Sequence, residues 1–319
     1  MSRPGRPRTG APTLREIAER TGYGLMTVSR ALGPDPEAVT ADKRLRIQAV
    51  AAELNYRPNL NIRALRRGSG TLVGLLCERF DARVHDLLIG LHDVLVPQGL
   101  LPCLMVIGHH PARPGMDPGT ATIHHLVERR MAAVLAVLPR PDALPDWLPA
   151  LRREVHDRGL PTLLAGAAPQ QADLPLVRSD LPTAAGLLVE HAAAQGSRLA
   201  VVDENPGDPW TTALAGLITA TATERGVSWF RLLPDQDLPD HAVPVATSTA
   251  ALLALAGQRT PPAGWISSGD ASTCPLAGLA VDLADRDLGT LAGQLLIEAL
   301  AGRPLPACTD LPPRHRRAT

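Results

Sequence analysis

Residues 13–32 read TLREIAERTGYGLMTVSRAL, residues 39–56 read VTADKRLRIQAVAAELNY, and residues 57–70 read RPNLNIRALRRGSG. Leu14, Ile17 and Ala18 recur at helical spacing and define one face of a short helix. Gly22 follows and supplies the positive φ that a tight turn needs. Residues 25–32 predict a second short helix with Val28, Ala31 and Leu32 inward, stopped by Pro34 and Pro36. Two short helices joined by a glycine-containing turn make a helix-turn-helix, whose second helix enters the major groove of DNA by its N-terminal residues. Leu25, Met26, Thr27, Ser29 and Arg30 then stand on or near the reading surface. Arg30 suits a guanine edge or a phosphate, whereas Leu25 and Met26 offer apolar contact such as a thymine methyl accepts.

A third helix is predicted over 41–54, with Leu45, Ile47, Val50, Ala51 and Leu54 as its apolar stripe and Thr40 as its N-cap. Lys43, Arg44 and Arg46 lie near its start, within reach of phosphates. Downstream, Pro58 fits a first helical position and Gly68 a helix end. The segment between is shorter than the roughly 12–15 residues an isolated helix needs in water. Residues 59–67 are therefore expected to be largely unfolded off DNA and helical on it.

TVSRAL at 27–32, ELNYRPN at 53–59 and ALRR at 64–67, in that order, resemble the LacI/GalR (lactose-repressor) family of bacterial transcription regulators. The resemblance is strong through the first seventy residues and weaker over most of the remainder. It implies groove and backbone contacts at Thr27, Ser29 and Arg30, phosphate and hinge roles for Tyr56 and Asn59, and a minor-groove wedge at Leu65. An apolar wedge unstacks a base step and kinks the duplex. The full set of candidate DNA contacts is Thr13, Leu25, Met26, Thr27, Ser29, Arg30, Thr40, Lys43, Tyr56, Asn59, Arg63 and Leu65. Two residues depart from the family pattern: Gly24, where a capping Ser is usual, and Ile62, where the hinge usually has a small residue.

Charge is unevenly spread in a chain of zero formal net charge. Residues 1–70 hold 13 Lys and Arg against 6 Asp and Glu, and the remaining residues hold 19 against 26. A basic head on an acidic body points to a polyanion partner for the head alone. Residues 1–12 are Pro-, Gly- and Arg-rich and are read as a disordered basic arm, with minor-groove insertion of Gly5-Arg6-Pro7-Arg8 as the alternative. The start has no apolar core of a secretory signal, and no run of about 18 apolar residues occurs, so a cytoplasmic protein with no membrane partner is expected. Cys77, Cys103, Cys274 and Cys308 lack metal-ligand spacing and are read as reduced thiols.

After residue 70 short apolar runs alternate with amphipathic stretches. Strands are expected at 72–76, 101–107, 132–138 and 162–165, with helices at 84–96, 122–130 and 147–158. A second unit is read from about Leu176, with helices at 182–195, 211–225 and 288–300 and strands at 199–202, 229–233, 243–246 and 265–267. The fold class expected is an N-terminal all-α helix-turn-helix domain with a hinge helix, then a two-lobed α/β domain like a periplasmic binding protein. The domains are 1–12 basic arm, 13–57 DNA-binding domain, 58–69 hinge and linker, and 70–319 effector-binding and dimerisation domain. Residues 279–289 and 311–314 echo the family's crossing segments.

Counted back from Gly216, the family's effector-binding Arg falls at Ala213, its usual Asp falls near Thr249, and 231–240 is too short for the helix normally found there. The small-molecule site is therefore expected to be eroded or atypical, because sugar hydroxyls need charged or bidentate partners. His109-His110, His124-His125 and the acidic runs near Asp203 and Asp237 have no metal-ligand pattern, so no metal or cofactor is expected. No nucleophile elbow, phosphate loop or dinucleotide fingerprint occurs, so no enzyme is expected. The sequence reads as a dimeric, sequence-specific transcription regulator, a repressor, of a pseudo-palindromic operator in double-stranded DNA. A ligand-independent or architectural regulator, and a sugar-responsive repressor of the usual type, remain open alternatives.

Overall fold

The structure is a computed structural model that describes residues 12–33, 36–56, 70–108, 115–140, 143–166, 173–196, 198–203, 207–233, 236–248, 251, 263–267 and 278–318. Contacts divide the chain into Met1–Gly68 and Ser69–Thr319. The predicted basic arm and hinge, with Asn59, Arg63 and Leu65, lie outside the described residues.

The first unit holds three helices: α1 (Leu14–Thr21), α2 (Leu25–Ala31) and α3 (Ala41–Glu53). The Thr13 hydroxyl caps α1 by accepting from the Glu16 N–H at 3.3 Å. Gly22 ends α1 at φ 73° and its N–H returns to the Ala18 carbonyl. Ile17, Val28, Ala31, Val39, Ile47 and Ala51 are buried together as the core of this unit. One residue of the expected α3 stripe is misplaced: Leu45 is 65% exposed. Ile47, Val50, Ala51 and Leu54 keep the i, i+3, i+4, i+7 spacing, and Leu45 sits two residues, or about 200°, from Ile47, on the opposite face.

The second unit consists of two α/β lobes. The first sheet contains β1 (Leu72–Cys77), β2 (Leu101–Val106), β3 (Ala133–Val137), β4 (Thr162–Ala165), β5 (Leu176–Ser179) and β11 (Cys308–Leu311), in the order β11-β5-β4-β3-β1-β2, with all pairs parallel. The second contains β6 (Arg198–Val202), β7 (Ser228–Leu232), β8 (Ala242–Ala246), β9 (Gly264–Ser267), β10 (Gly278–Asp282) and β12 (Arg314–Ala318), in the order β12-β10-β9-β8-β6-β7, with β12 alone antiparallel. The helices are α4 (Ala82–Leu95), α5 (Pro118–Glu128), α6 (Leu148–Arg158), α7 (Leu181–Ala193), α8 (Pro209–Glu224) and α9 (Asp285–Leu300). Strands such as β3, AVLAV, are buried at every position, as a parallel sheet covered on both faces requires.

Asp residues start three of these helices in the same way. Asp81, Asp117 and Asp180 accept from the N–H groups of Val84, Thr120 and Thr183 at 3.0, 2.9 and 3.1 Å. The predicted lobe boundary near Leu176 is corrected by β5, which pairs with β4 and β11 in the first sheet, so the chain changes lobe only after Ser179. The terminal helix, expected at 288–300, starts at Asp285 and packs with α4 on the first lobe: Leu288, Ala292 and Leu296 join Leu87, Leu91 and Leu95 in one core. The chain therefore crosses between lobes three times, at 180, at 283–284 and at 312–313. The crossings at 283–284 and 312–313 fall where the resemblance expected them, whereas the strands β5 and β11 were not visible in the sequence. Four-residue β5 and β11 are too short to show a period, and β11 is held to β5 partly by the Arg178–Asp310 ion pair.

Candidate nucleic-acid interface

The candidate reading surface is the face of α2 opposite its buried residues. Val28 and Ala31 lock α2 onto α1 and α3. That packing turns Leu25 and Met26 outward, 44% and 65% exposed, with Arg30 also exposed and Thr27 and Ser29 half-buried. Gly24 stands at the N-cap of α2 and gives it no side-chain hydrogen bond, whereas α1 has one from Thr13. The turn between the helices is fixed by Gly22 and by the Thr21 hydroxyl, which donates to the Ile17 carbonyl at 2.7 Å.

Two cations stand beside the turn. The Lys43 ammonium and the Arg46 guanidinium each lie 5.9 Å from the centre of the Tyr23 ring. Both come from the first half of α3, and the ring face attracts each of them. Arg44, the third basic residue of the predicted group, is engaged differently: it pairs with Glu37 at 2.6 Å and holds that carboxyl below the usual carboxylate range. Thr40 occupies the N-cap position of α3 as expected, but its hydroxyl makes no capping bond. Tyr56 is half-buried against the core of the head, and its N–H donates to the Ala51 carbonyl at 2.8 Å. The structure thus brings together Leu25, Met26, Thr27, Ser29 and Arg30 on one helix, and sets Thr13 and Tyr56 partly to structural tasks. Tyr23 was missed; an aromatic inside the turn, flanked in sequence by two glycines, was the available signal.

The cleft between the body's lobes has its own chemistry. Arg79 follows β1 and its Nη2 donates to Asp208 Oδ1 at 2.7 Å. Arg83, on the first turn of α4, lays its guanidinium 3.2 Å from the centre of the Trp210 ring at the start of α8. Asp285, at the start of α9, is almost wholly buried near Arg83, and burial raises its carboxyl to about 7 against the opposing pull of the Arg83 charge. The Trp147 indole N–H donates to Glu78 at 2.8 Å. Ala213 lies one turn beyond Trp210 on α8 and is half-buried, and Thr249 lies outside the described residues. Among the described residues no helix joins β7 to β8. His124 and His125 pair with Glu154 and Glu128, and no group of three or more metal-ligating side chains occurs among the described residues. Cys77 and Cys308 carry thiols raised mainly by burial, and no described helix is long and apolar enough to cross a membrane.

Residues 13–59 match the profile of the bacterial regulatory proteins, lacI family. The chain is 41% identical to the HTH-type transcriptional regulator PtxS of Pseudomonas plecoglossicida over 64 residues, 20% of this chain and 19% of that protein. It is 26% identical to the HTH-type transcriptional regulator RafR of Escherichia coli over 301 residues, 89% of this chain and 81% of that one. Matches to PtxS proteins thus span about a fifth of those relatives' length. The lac repressor dimer bound to operator and the anti-inducer ONPF superimposes with a TM-score of 0.76 at 18% identity, covering 97% of this chain and 98% of that one. A LacI-family regulator from Silicibacter pomeroyi gives a TM-score of 0.71 at 18% identity over 96% of this chain and 98% of that one. At this identity the likeness is one of fold.

Proposed function

We propose that this chain, whose head is a lacI-family domain and whose body has the fold of the lac repressor, is a sequence-specific DNA-binding transcription regulator rather than an enzyme. One observation carries the reading. The helix matched to the family's recognition helix buries Val28 and Ala31 and presents Leu25, Met26 and Arg30 outward, beside the Lys43 and Arg46 cations. A helix held in this way can enter a major groove with apolar and guanidinium groups at base edges and cations at phosphates. In this reading Leu25, Met26, Thr27, Ser29 and Arg30 meet bases. Thr13, Thr40, Lys43 and Tyr56 position the backbone, and Asn59, Arg63 and Leu65 act at the hinge.

The protein acts as a homodimer in the cytoplasm and represses from a pseudo-palindromic site, because a two-fold dimer presents two reading helices to symmetric half-sites. Competition tests this reading. Binding of the full chain to a selected duplex should survive a hundredfold excess of unrelated DNA at near-physiological salt. Equal displacement by selected and unrelated DNA would overturn it.

The body's small-molecule site is atypical in this reading. An alanine stands where the resemblance places the effector-binding Arg, and no helix joins β7 to β8 among the described residues. The favoured second reading is therefore a regulator that works without a sugar. Calorimetric titration with mono- and disaccharides should show no tight binding, and tight binding would remove it.

A further inference from the structure

Four body helices have an Asp at the N-cap position; three of these Asp residues cap their own helix, and the fourth does not. Asp208 is the N-cap of α8 and makes no side-chain capping bond. Its carboxylate instead reaches out of its own lobe to Arg79. The next residue but one on α8 is Trp210, whose ring faces Arg83 of the first lobe at 3.2 Å. Arg83 is half-buried, and its Nε is buried with no hydrogen-bond partner among the described residues. The contact recorded for the guanidinium is therefore with the ring face rather than through Nε. A guanidinium over an indole is among the stronger cation–π pairings.

We propose that the cleft is latched by the chain's own side chains: Arg83 of the first lobe lies on Trp210 of the second, Arg79 pairs with Asp208, and together they hold the lobes shut without a small molecule. The latch joins residues 127–129 positions apart in sequence, so it reports directly on the lobes' mutual placement. It rests on the reading of the cleft as lacking the usual sugar partners, and it gives that reading a mechanism. The side chains of the chain occupy the boundary a ligand would otherwise bridge. A ligand entering the cleft displaces Arg83 from Trp210.

Hydrogen exchange on the full, DNA-free chain tests it. Arg83→Ala changes the first lobe only, and the peptide covering 207–212 of the second lobe is the readout. The expected result is at least tenfold faster exchange there, with β3 and β6 peptides unchanged as the check on folding. Unchanged exchange at 207–212 would overturn the latch. If Arg83→Ala loosens the sheets as well, Asp208→Asn, nearly isosteric, is read at 79–86 with the same two outcomes. No DNA enters the experiment, so DNA binding can fail while the latch stands, and the latch can fail while specific DNA binding stands.

Discussion

At the scale of single residues, Arg30 and Asp285 carry the sharpest expectations. Arg30→Ala is expected to weaken binding to the selected duplex by about 1–3 kcal/mol and to relax the base preference at one position of each half-site, as loss of a bidentate guanine contact does. Binding to a panel of single-base variants checks it; a uniform loss would make Arg30 a phosphate contact. For Asp285 the sign follows from burial. The folded chain holds a proton up to about pH 7, whereas the unfolded chain releases it in the ordinary carboxylate range. Between those two values the folded state binds more protons, so this group's contribution to stability falls as pH rises and levels off above 7. Asp81, Asp86 and Asp282 press the same way and Arg83 opposes them. Asp285→Asn is therefore expected to stabilise the protein relative to the parent by on the order of 1–4 kcal/mol at pH 8 and by little at pH 4. Thermal melts at the two pH values decide it, and an equal difference at both would refute it. Residue-level legibility was uneven. Gly22 was read correctly because a positive φ leaves a glycine in the sequence. Leu45 was read wrongly because hydrophobicity alone does not distinguish a core leucine from an exposed one.

At the scale of elements, the body turns on the contact between α4 and α9. A Cβ at Gly90 would stand 1.9 Å from the Arg286 carbonyl oxygen, and one at Gly289 would stand 2.0 Å from that of Leu87. Both obstacles are backbone, so the helices must move apart to admit a methyl. Gly90→Ala and Gly289→Ala are each expected to cost at least about 1–3 kcal/mol, the usual penalty of overpacking. Gly216 is the contrast: it is also helical, and a Cβ there meets only the tip of Arg231 at 3.8 Å. Gly216→Ala is expected to be neutral or to stabilise by up to about 1 kcal/mol. Melting temperatures of the three variants would contradict the account if their order were reversed. Most elements of the body were legible as types, because apolar runs of four to six residues and Asp-led helices follow simple periods. The partners of those elements were not. Nothing local in LVRS at 176–179 or CTDL at 308–311 says that the two strands pair, since that pairing depends on a chain path through the entire second lobe.

At the scale of the whole molecule, a basic head is joined to an acidic body whose chain crosses three times between a parallel sheet and a second that is parallel except for β12. The charge division was plain from the sequence, and so was the two-lobed class. The cleft was legible only in part. Ala213 was visible as an alanine where the resemblance places an arginine, but Arg79, Arg83, Asp208 and Trp210 carry no motif. Their meeting is a product of the tertiary fold, and no spacing rule connects positions so far apart. The central claim is that the head reads a defined DNA sequence as one half of a symmetric pair. Selection from a random duplex pool by the full chain, at near-physiological and stated salt, tests it most directly. The account predicts enrichment of an inverted repeat whose half-sites share a fixed core. Enrichment that followed only A/T content, with no shared core and no symmetry, would contradict it.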